Sequence, residues 1–540
     1  MRPLCVALFA ILALSSTSRG SAQVEHTVPP EKLGTVNFMT SCSPSVQPQF
    51  NRAVALMHSF QFASAIKAFR GILANDPTCS MAFWGIALSN WGNPFAATIK
   101  PQAQLDEGLK AVTLARAANP KTARERAYID AVALLFTANV DQRARMLAYE
   151  SAMAALSASN PEDTEAAIFY ALSIASAAEP ADKTFARQLK AGKILDDLFV
   201  RYPDHPGLAH YIIHTYDVPP LASRAAGAAQ HYSQIAPSTP HALHMPSHTF
   251  TRMGQWQASI DANIASSASA HAAGQPAEEL HASDYLEYAY LQTGQDAAAQ
   301  RVLESNVEIF TRFNPAELIA GAAGPVAAYF AHAAIPARYA LERQDWDQAA
   351  KLVPLASPYP QTDSITWFAR GLGAAHQKDN TSARDAIQAL QQNHDKLIQM
   401  KDTYSANLVE IQRIEVQAWL AFAEGKSEEA LAGMRTAADR EDQTEKSAIT
   451  PGPLAPAREL LGELLLKMKR PSEALTEFES TLAKEPNRFR SLYGAAEAAK
   501  LSGNHQKAQD YFRKLQKESE HADQPARKEL IEAKAELQPE

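Results

Sequence analysis

The chain has 540 residues, of which 51 are Lys or Arg and 59 are Asp or Glu, so its formal net charge is −8. No run of Lys and Arg supplies a basic face, which argues against nucleic acid as a partner. No stretch beyond the N-terminus approaches the roughly 20 apolar residues of a transmembrane helix, so we expect no integral membrane segment.

The N-terminus has the pattern of a secretory signal peptide. Arg2 precedes an apolar run from Leu4 to Leu14, and Gly20, Ser21 and Ala22 form a small-residue cleavage pattern. We therefore expect residues 1–22 to be removed and the mature protein to be periplasmic or secreted.

The mature chain would keep two cysteines, Cys42 and Cys79. In an oxidising compartment this favours one disulfide, which would tie the N-terminal segment to the first repeat. Two unpaired, buried thiols are the alternative.

Small residues and aromatic residues recur along the chain with a period of 34 residues. At the front, Ala65, Phe69 and Pro77 occupy the small, aromatic and proline positions of such a repeat. Pairs separated by 34 residues follow at Ala337 and Gly371, Ala349 and Ala383, Gly462 and Ala496, Ala474 and Ala508, and Phe478 and Phe512. This is the tetratricopeptide period, in which small residues let the two helices of a unit cross closely.

The repeats predict an all-α fold, a tetratricopeptide-repeat α-solenoid in which antiparallel helix pairs stack into a right-handed superhelix. We divide the chain into a signal peptide at 1–22, an N-terminal repeat array at 23–438, a Pro-rich linker at 439–456, and a C-terminal repeat pair with a capping helix at 457–540.

Three successive first helices carry a polar stripe, and first helices line the inner, concave wall of such a superhelix. Each stripe spans about 60° of a helix at 100° per residue. The stripes consist of His210, His214 and Asp217, of His241, His244 and His248, and of His281, Asp284 and Tyr288. Since adjacent units place these stripes side by side, all nine residues are candidates for ligand binding.

Two interpretations of these stripes remain open. Imidazole and carboxylate groups suit a divalent transition metal, and His at i and i+4 can grip one ion. The candidate metal ligands are His210, His214, Asp217, His244, His248 and His281. The alternative is a structural seam in which neighbouring side chains and carbonyl groups satisfy each imidazole. No cofactor follows with certainty from the sequence.

Pro246 interrupts the second stripe. Inside a continuous helix it would remove the backbone bond to Ala242 and kink the turn. It could instead occupy the first turn of a helix that starts later, which would leave His241 and His244 on a loop.

Three strings, "HYIIHTYDVPPLA", "APSTPHALHMPSHTFTRMGQW" and "HASDYLEYAYLQTGQ", resemble a family of exported bacterial tetratricopeptide-repeat proteins. The resemblance extends over nearly the whole mature chain. It implies the fold far more than an activity, and it transfers no catalytic residues. The chain departs from the standard repeat at Pro246 and in longer turns.

These observations favour an exported scaffold that binds a peptide, a protein partner or a small ligand in its concave groove. The alternative function is that of a metal-dependent protein or enzyme, either a hydrolase or an oxidase, with a His and Asp cluster on the inner helices. The sequence does not decide whether the protein is an enzyme.

Overall fold

The computed structural model describes residues 31–96, 99–317 and 321–538, so the predicted signal peptide at 1–22 lies outside the described residues. Residues Lys32–Glu540 form one compact unit, and it holds every helix of the described residues. The described residues contain helices and no β-strand. None of these helices combines the length and the apolar character needed to cross a bilayer.

Most of the α-helices follow one another through short turns. The first half comprises α1 Gln47–His58, α2 Phe62–Asn75, α3 Ser80–Trp91, α4 Gln102–Ala117, α5 Ala123–Leu134, α6 Gln142–Ser159, α7 Thr164–Ser176, α8 Ala186–Arg201, α9 Pro206–Thr215, α10 Ala226–Ile235, α11 Pro240–His244, α12 Pro246–Arg252 and α13 Trp256–Ala272. The second half comprises α14 Pro276–Gln292, α15 Asp296–Arg312, α16 Pro325–Glu342, α17 Trp346–Lys351, α18 Pro360–Gln377, α19 Asn380–Gln399, α20 Thr403–Ala423, α21 Ser427–Asp442, α22 Ala457–Lys467, α23 Pro471–Lys484, α24 Phe489–Leu501, α25 His505–Glu518 and α26 Lys528–Glu536. Longer connections precede α4, α16 and α22. Two short 3₁₀ helices span Pro44–Val46 and Ala222–Ala225.

The fold is a tetratricopeptide-like α-solenoid, and its packing explains the small residues of the repeat. Phe478 of α23 packs between α22 and α24, where a Cβ atom added at Gly462 or Gly494 would lie 2.9 or 2.4 Å from its ring. The same arrangement occurs at the front of the chain, where a Cβ atom at Gly85 would lie 2.3 Å from the ring of Phe69. A side chain at these positions would push neighbouring helices apart.

The N-terminal segment is fastened to the first helices. Cys42 and Cys79 form a disulfide with a Cα–Cα distance of 4.9 Å. Cys79 is the N-cap residue of α3, so the bridge joins the segment before α1 to the second repeat unit.

Pro246 separates two short helices that run nearly end to end. It is the first residue of α12, while Met245 before it keeps helical backbone angles of −54° and −35°. His241 and His244 lie on α11, so neither is on a loop. The proline therefore interrupts the hydrogen-bond ladder without redirecting the stripe away from the inner wall.

The C-terminal repeats return to cover the middle of the array. The indole Nε1 of Trp256 donates to the carbonyl of Asn487 at 3.0 Å, and the backbone N–H of Phe489 donates to Gln292 Oε1 at 2.9 Å. Nearly every residue of α14 is buried as a result. The inner wall at this point is closed off from solvent.

Residues 443–456, most of the predicted linker, have no helix and pack against the inner helices. Lys446 Nζ lies 3.1 Å from Asp217 Oδ2. The hydroxyl of Tyr285 lies 3.2 and 3.0 Å from the carbonyl oxygens of Ala448 and Thr450. We call residues 443–456 the strap.

Candidate metal centre

Six histidines from four inner helices converge in one buried cluster. His210 and His214 come from α9, His241 and His244 from α11, His248 from α12 and His281 from α14. Their exposed fractions range from 0% for His210 to 8% for His214. The three stripes thus meet, although they lie up to 71 positions apart in the sequence.

The histidines form two groups of three. His210, His214 and His241 can each offer a ring nitrogen within 4.8 Å of the others, and His244, His248 and His281 do the same. The groups adjoin each other, because the ring centroids of His214 and His248 are 5.7 Å apart. We call them the first and second histidine groups.

Hydrogen bonds fix the protonation of two rings in the second group. His244 Nδ1 lies 2.7 Å from Asn263 Oδ1, and the Asn263 amide donates in turn to the carbonyl of Ser259 at 2.8 Å. Asn263 Oδ1 is therefore an acceptor, so His244 carries its proton on Nδ1. His248 Nδ1 lies 3.0 Å from Asp217 Oδ2, which as a carboxylate also accepts.

The Nε2 atoms of these two rings face each other at 3.0 Å. In the neutral imidazoles both Nε2 atoms carry lone pairs, so their approach is repulsive unless a cation lies between them. A shared proton is disfavoured, since burial lowers the pKa of His248 to about 4 and holds the pKa of His244 well below its usual value. A metal ion resolves the contact, because it binds imidazole lone pairs.

The first group holds a second pair of facing Nε2 atoms. Hydrogen bonds fix the tautomer of His210 but not that of His241, because His241 Nδ1 has no hydrogen-bond partner among the described residues. His210 Nδ1 lies 2.6 Å from the carbonyl oxygen of His58 and therefore donates, which leaves a lone pair on Nε2. That Nε2 atom lies 3.1 Å from His241 Nε2, while His241 Nδ1 lies 3.6 Å from Glu278 Oε2. His214 Nε2 has no hydrogen-bond partner within the described part of the chain.

This pattern is typical of metal sites in proteins. Ligating histidines almost always donate their other ring N–H to a carbonyl or a carboxylate, which fixes the tautomer and the ring orientation. Asn263, the His58 carbonyl and Asp217 fill that position here. His281 completes the second group, and its Nδ1 lacks a hydrogen-bond partner among the described residues.

Asp217 links the cluster to the strap. Besides His248, it contacts Arg252 Nε at 2.9 Å and Lys446 Nζ at 3.1 Å. Burial would raise the pKa of Asp217, but Lys446 and Arg252 hold it well below its usual value. Asp217 is thus an ionised acceptor for His248, and it already forms ion pairs with Arg252 and Lys446.

A cavity of about 890 Å³ adjoins the first group. His214, Asp217, Lys446, Lys100 and Phe95 all line it. The ring of Phe95 stacks on His214 with a centroid distance of 4.3 Å. The buried cluster therefore has one side, at His214, from which a small molecule could approach.

Two predicted site residues contact other groups. Asp284 accepts from Arg338 Nε at 2.8 Å, and Tyr288 lies 2.9 Å from Glu485 Oε2 and 3.0 Å from Arg488 Nη1. Both face this network of arginines and carboxylates, whereas His281 on the same helix faces the histidines.

A third histidine and carboxylate cluster lies nearby. Glu165 is held between His58 Nε2 and His205 Nε2, both at 2.9 Å. Burial would raise the pKa of Glu165, but the two histidines lower it far below the usual value. His58 Nδ1 also bonds the Tyr211 hydroxyl at 2.9 Å, whereas His205 Nδ1 has no hydrogen-bond partner among the described residues.

Sequence reasoning missed Asn263, Glu278 and Lys446. Asn263 lies on α13, a second helix outside the stripes, and Lys446 is 229 residues from its partner Asp217. Glu278 precedes His281 by three residues on α14, so helical spacing could have added it to the third stripe.

Comparison with known proteins yields little. No protein-family model matches this chain, and no curated protein matches it either. Solved structures with similarity include a chain of the APC/C hetero-tetramer Cut9–Hcn1, with 11% identity, coverage of 91% of this chain and 90% of that chain, and a TM-score of 0.35. Human IFIT1 dimers also match, with m7Gppp-AAAA at 10% identity, 90% and 96% coverage and a TM-score of 0.37, and with PPP-AAAA at 12% identity, 87% and 89% coverage and a TM-score of 0.36. TM-scores this low carry no inference about function.

Proposed function

We propose that this protein is a metal-binding α-solenoid whose inner helices hold a transition-metal centre on the two histidine groups. The observation that carries the proposal is the pair of facing Nε2 atoms on His244 and His248, each with its Nδ1 proton committed to an acceptor. His210 Nε2 and His241 Nε2 also face each other, at 3.1 Å, although His210 alone of this pair has its Nδ1 proton bound to an acceptor in the described part of the chain.

The ligand set indicates the class of metal. Neutral imidazole suits zinc, copper, iron and nickel. Three histidines per ion would leave a coordination position open, at which such an ion supplies Lewis-acid or redox chemistry. The cavity beside His214 gives a small substrate access to that position.

The test is elemental analysis of the purified protein after loading with Zn²⁺ or Cu²⁺ and removal of free ion. We expect stoichiometric metal in the wild type and loss of the ion at the second group in the double variant His244→Ala, His248→Ala. The matched control removes two exposed histidines, His231→Ala and His521→Ala, and should retain full metal content. A wild type that holds no stoichiometric metal under any loading condition would refute the proposal.

A binding scaffold is the second candidate function. The cavity of about 890 Å³ favours it, because a pocket of that size can accept a small ligand or a peptide side chain. In this case the wild type and the double histidine variant should bind the same partner in a pull-down with equal yield. Loss of the partner in the variant would instead assign binding to the metal centre.

We also propose that the protein acts outside the cytoplasm, in the periplasm or as a secreted protein. The Cys42–Cys79 disulfide supports this, because structural disulfides persist in oxidising compartments. Fractionation of expressing cells should find the chain, shortened at its N-terminus, in the periplasm or the medium. Recovery of the full-length chain in the cytoplasm would contradict the proposal.

A further inference from the structure

A second cavity, of about 190 Å³, lies on the far side of the strap. Helices α16, α18, α20 and α21 form its walls, and the strap closes it. Its body is apolar, lined by Phe330, Ile365, Phe368 and Leu408. None of the six histidines lines this cavity.

Three hydrogen-bond acceptors at this cavity lack a donor. Gln361 Oε1, Gln412 Oε1 and Glu415 Oε1 are buried and have no hydrogen-bond partner in the described part of the chain. Glu415 is only 1% exposed. Buried polar atoms of folded proteins are nearly always hydrogen-bonded, so three unpaired acceptors on residues that line one cavity indicate a ligand that brings donors.

The charged groups at the cavity likewise include carboxyl groups that lack a free cation to pair with, within the part of the chain that the structure describes. Its cations are already engaged: Arg252 and Lys446 bind Asp217, while Arg458 and Lys484 bind Asp442. Glu415 and Glu441 also line the cavity, and neither has an ion-pair partner within 4.0 Å among the described residues, although Glu441 accepts from the backbone N–H of Ala457 at 2.9 Å.

We propose that this cavity binds a small organic ammonium ion with an apolar body. A primary ammonium presents three donors and one positive charge, which matches the three unpaired acceptors and the uncompensated carboxyl groups. The rings of Phe330 and Phe368 suit both the apolar body and a nearby cation. A quaternary ammonium lacks the donors, and an anion would meet Glu415 and Glu441.

The electrostatics of the empty cavity agree with this assignment. Burial raises the pKa of Glu415 well above its usual value, and burial raises the pKa of Glu441 to about 7. An ammonium ion would supply the charge that stabilises an ionised carboxylate in this apolar setting.

The experiment is isothermal titration of the full chain with 2-phenylethylamine, its neutral isostere 2-phenylethanol and the anion 3-phenylpropionate. We expect the amine to bind at least about tenfold more tightly than the alcohol, and the anion not to bind, since a charge-assisted hydrogen bond is worth a factor of this size. Equal affinity for the amine and the alcohol, or no binding of the amine at millimolar concentration, would overturn the proposal.

Two variants locate the binding. Glu415→Gln should lower the affinity for the amine by about tenfold or more and leave the affinity for the alcohol unchanged. Glu428→Gln, at an exposed position on α21, is the matched control and should behave as the wild type. Unchanged amine affinity in Glu415→Gln would also overturn the assignment.

Two further variants keep the test valid if Glu415→Gln fails to fold, and if the amine binds a metal at the histidines instead of the cavity. If Glu415→Gln fails to fold, Leu408→Trp, checked for helicity by circular dichroism, should abolish binding of both amine and alcohol by filling the cavity. The amine should still bind to the double variant His244→Ala, His248→Ala, and loss of binding there would show coordination at the histidines instead. Metal content is measured separately, so failure of this proposal is distinguishable from failure of the metal proposal.

Discussion

Two buried polar regions meet along α14 and are built in opposite ways. On one side, His281 joins five other histidines whose lone pairs face each other. On the other side, opposite charges alternate: Arg338 binds Asp284 at 2.8 Å, and Arg488 binds Glu342 at 2.7 Å and Glu459 at 2.9 Å.

The difference separates a structural role from a binding role. In the arginine network, buried guanidinium groups pair with carboxylates of the same chain, as Arg488 does with Glu342 and Glu459. In the histidine cluster, His244 and His248 bring two Nε2 acceptors together, and the proposed metal ion is the partner that would join them. Burial of polar groups alone therefore does not identify a site, whereas burial of mismatched groups does.

The largest effect is expected from breaking the arginine network. Arg488→Met removes a fully buried cation and leaves Glu342 and Glu459 without it, which should lower the free energy of unfolding by about 3–5 kcal/mol. Urea unfolding followed by circular dichroism measures this. Arg435→Met is the control, because Arg435 is 51% exposed and its pair with Glu473 should contribute at most about 1 kcal/mol. A similar small loss in both variants would contradict the structural role.

A second, smaller effect concerns metal affinity, which distinguishes the histidine cluster from the arginine network. Asn263→Ala removes the acceptor that holds His244 in its tautomer, and metal affinity should fall about 10–100-fold. Competition with a chelator of known affinity measures it. Asp261→Ala, at an exposed position on the same helix, should leave affinity unchanged. Equal affinity in Asn263→Ala and wild type would remove the support for His244 as a ligand.

The smallest effect concerns a partly buried histidine outside both regions. His376 stacks between Trp346 and Trp419, with centroid distances of 3.7 and 4.2 Å, and burial lowers its pKa to about 3. Below about pH 6.5 the unfolded chain takes up a proton at this position while the folded chain does not, so stability is lost as the pH falls.

His376→Phe keeps the stack and removes the titration. Between about pH 6.5 and 5, its free energy of unfolding should fall less steeply than that of the wild type, by up to about 1.4 kcal/mol per pH unit. Urea unfolding at several pH values measures the slope. Parallel pH profiles for the two proteins would show that His376 does not titrate differently in the folded and unfolded states.

The sequence predicts those features of the fold and of the site that depend on helical spacing. Repeats 34 residues apart predict the helix pairs, and stripes at i, i+4 and i+7 predict that His210, His214 and His248 share a wall. Spacing cannot tell which side of a fully buried helix an extra polar residue faces. Asp284 and Tyr288 share a stripe with His281, yet they contact arginines that arrive from α16 and the start of α24.

Other features depend on long-range packing. Lys446 reaches Asp217 because the strap crosses the inner helices, and nothing local to residue 446 encodes that contact. The unpaired acceptors around Glu415 are equally invisible in the sequence, since Gln361 and Gln412 become neighbours only when α18 and α20 pack.

The late position of the strap in the sequence also determines when the histidine cluster becomes covered. A chain emerges with its N-terminus first, so all six histidines precede Lys446 and the C-terminal repeats that cover them. If the inner helices fold during that interval, the histidines are not yet covered by the strap, and an ion can reach them from bulk solution. Once residues 443–456 dock, the strap covers the cluster, and the cavity lined by His214 is the route of exchange that the proposal implies. An ion captured early would then be held kinetically as well as by affinity, and it would exchange far more slowly with the intact protein than with a chain that ends before the strap.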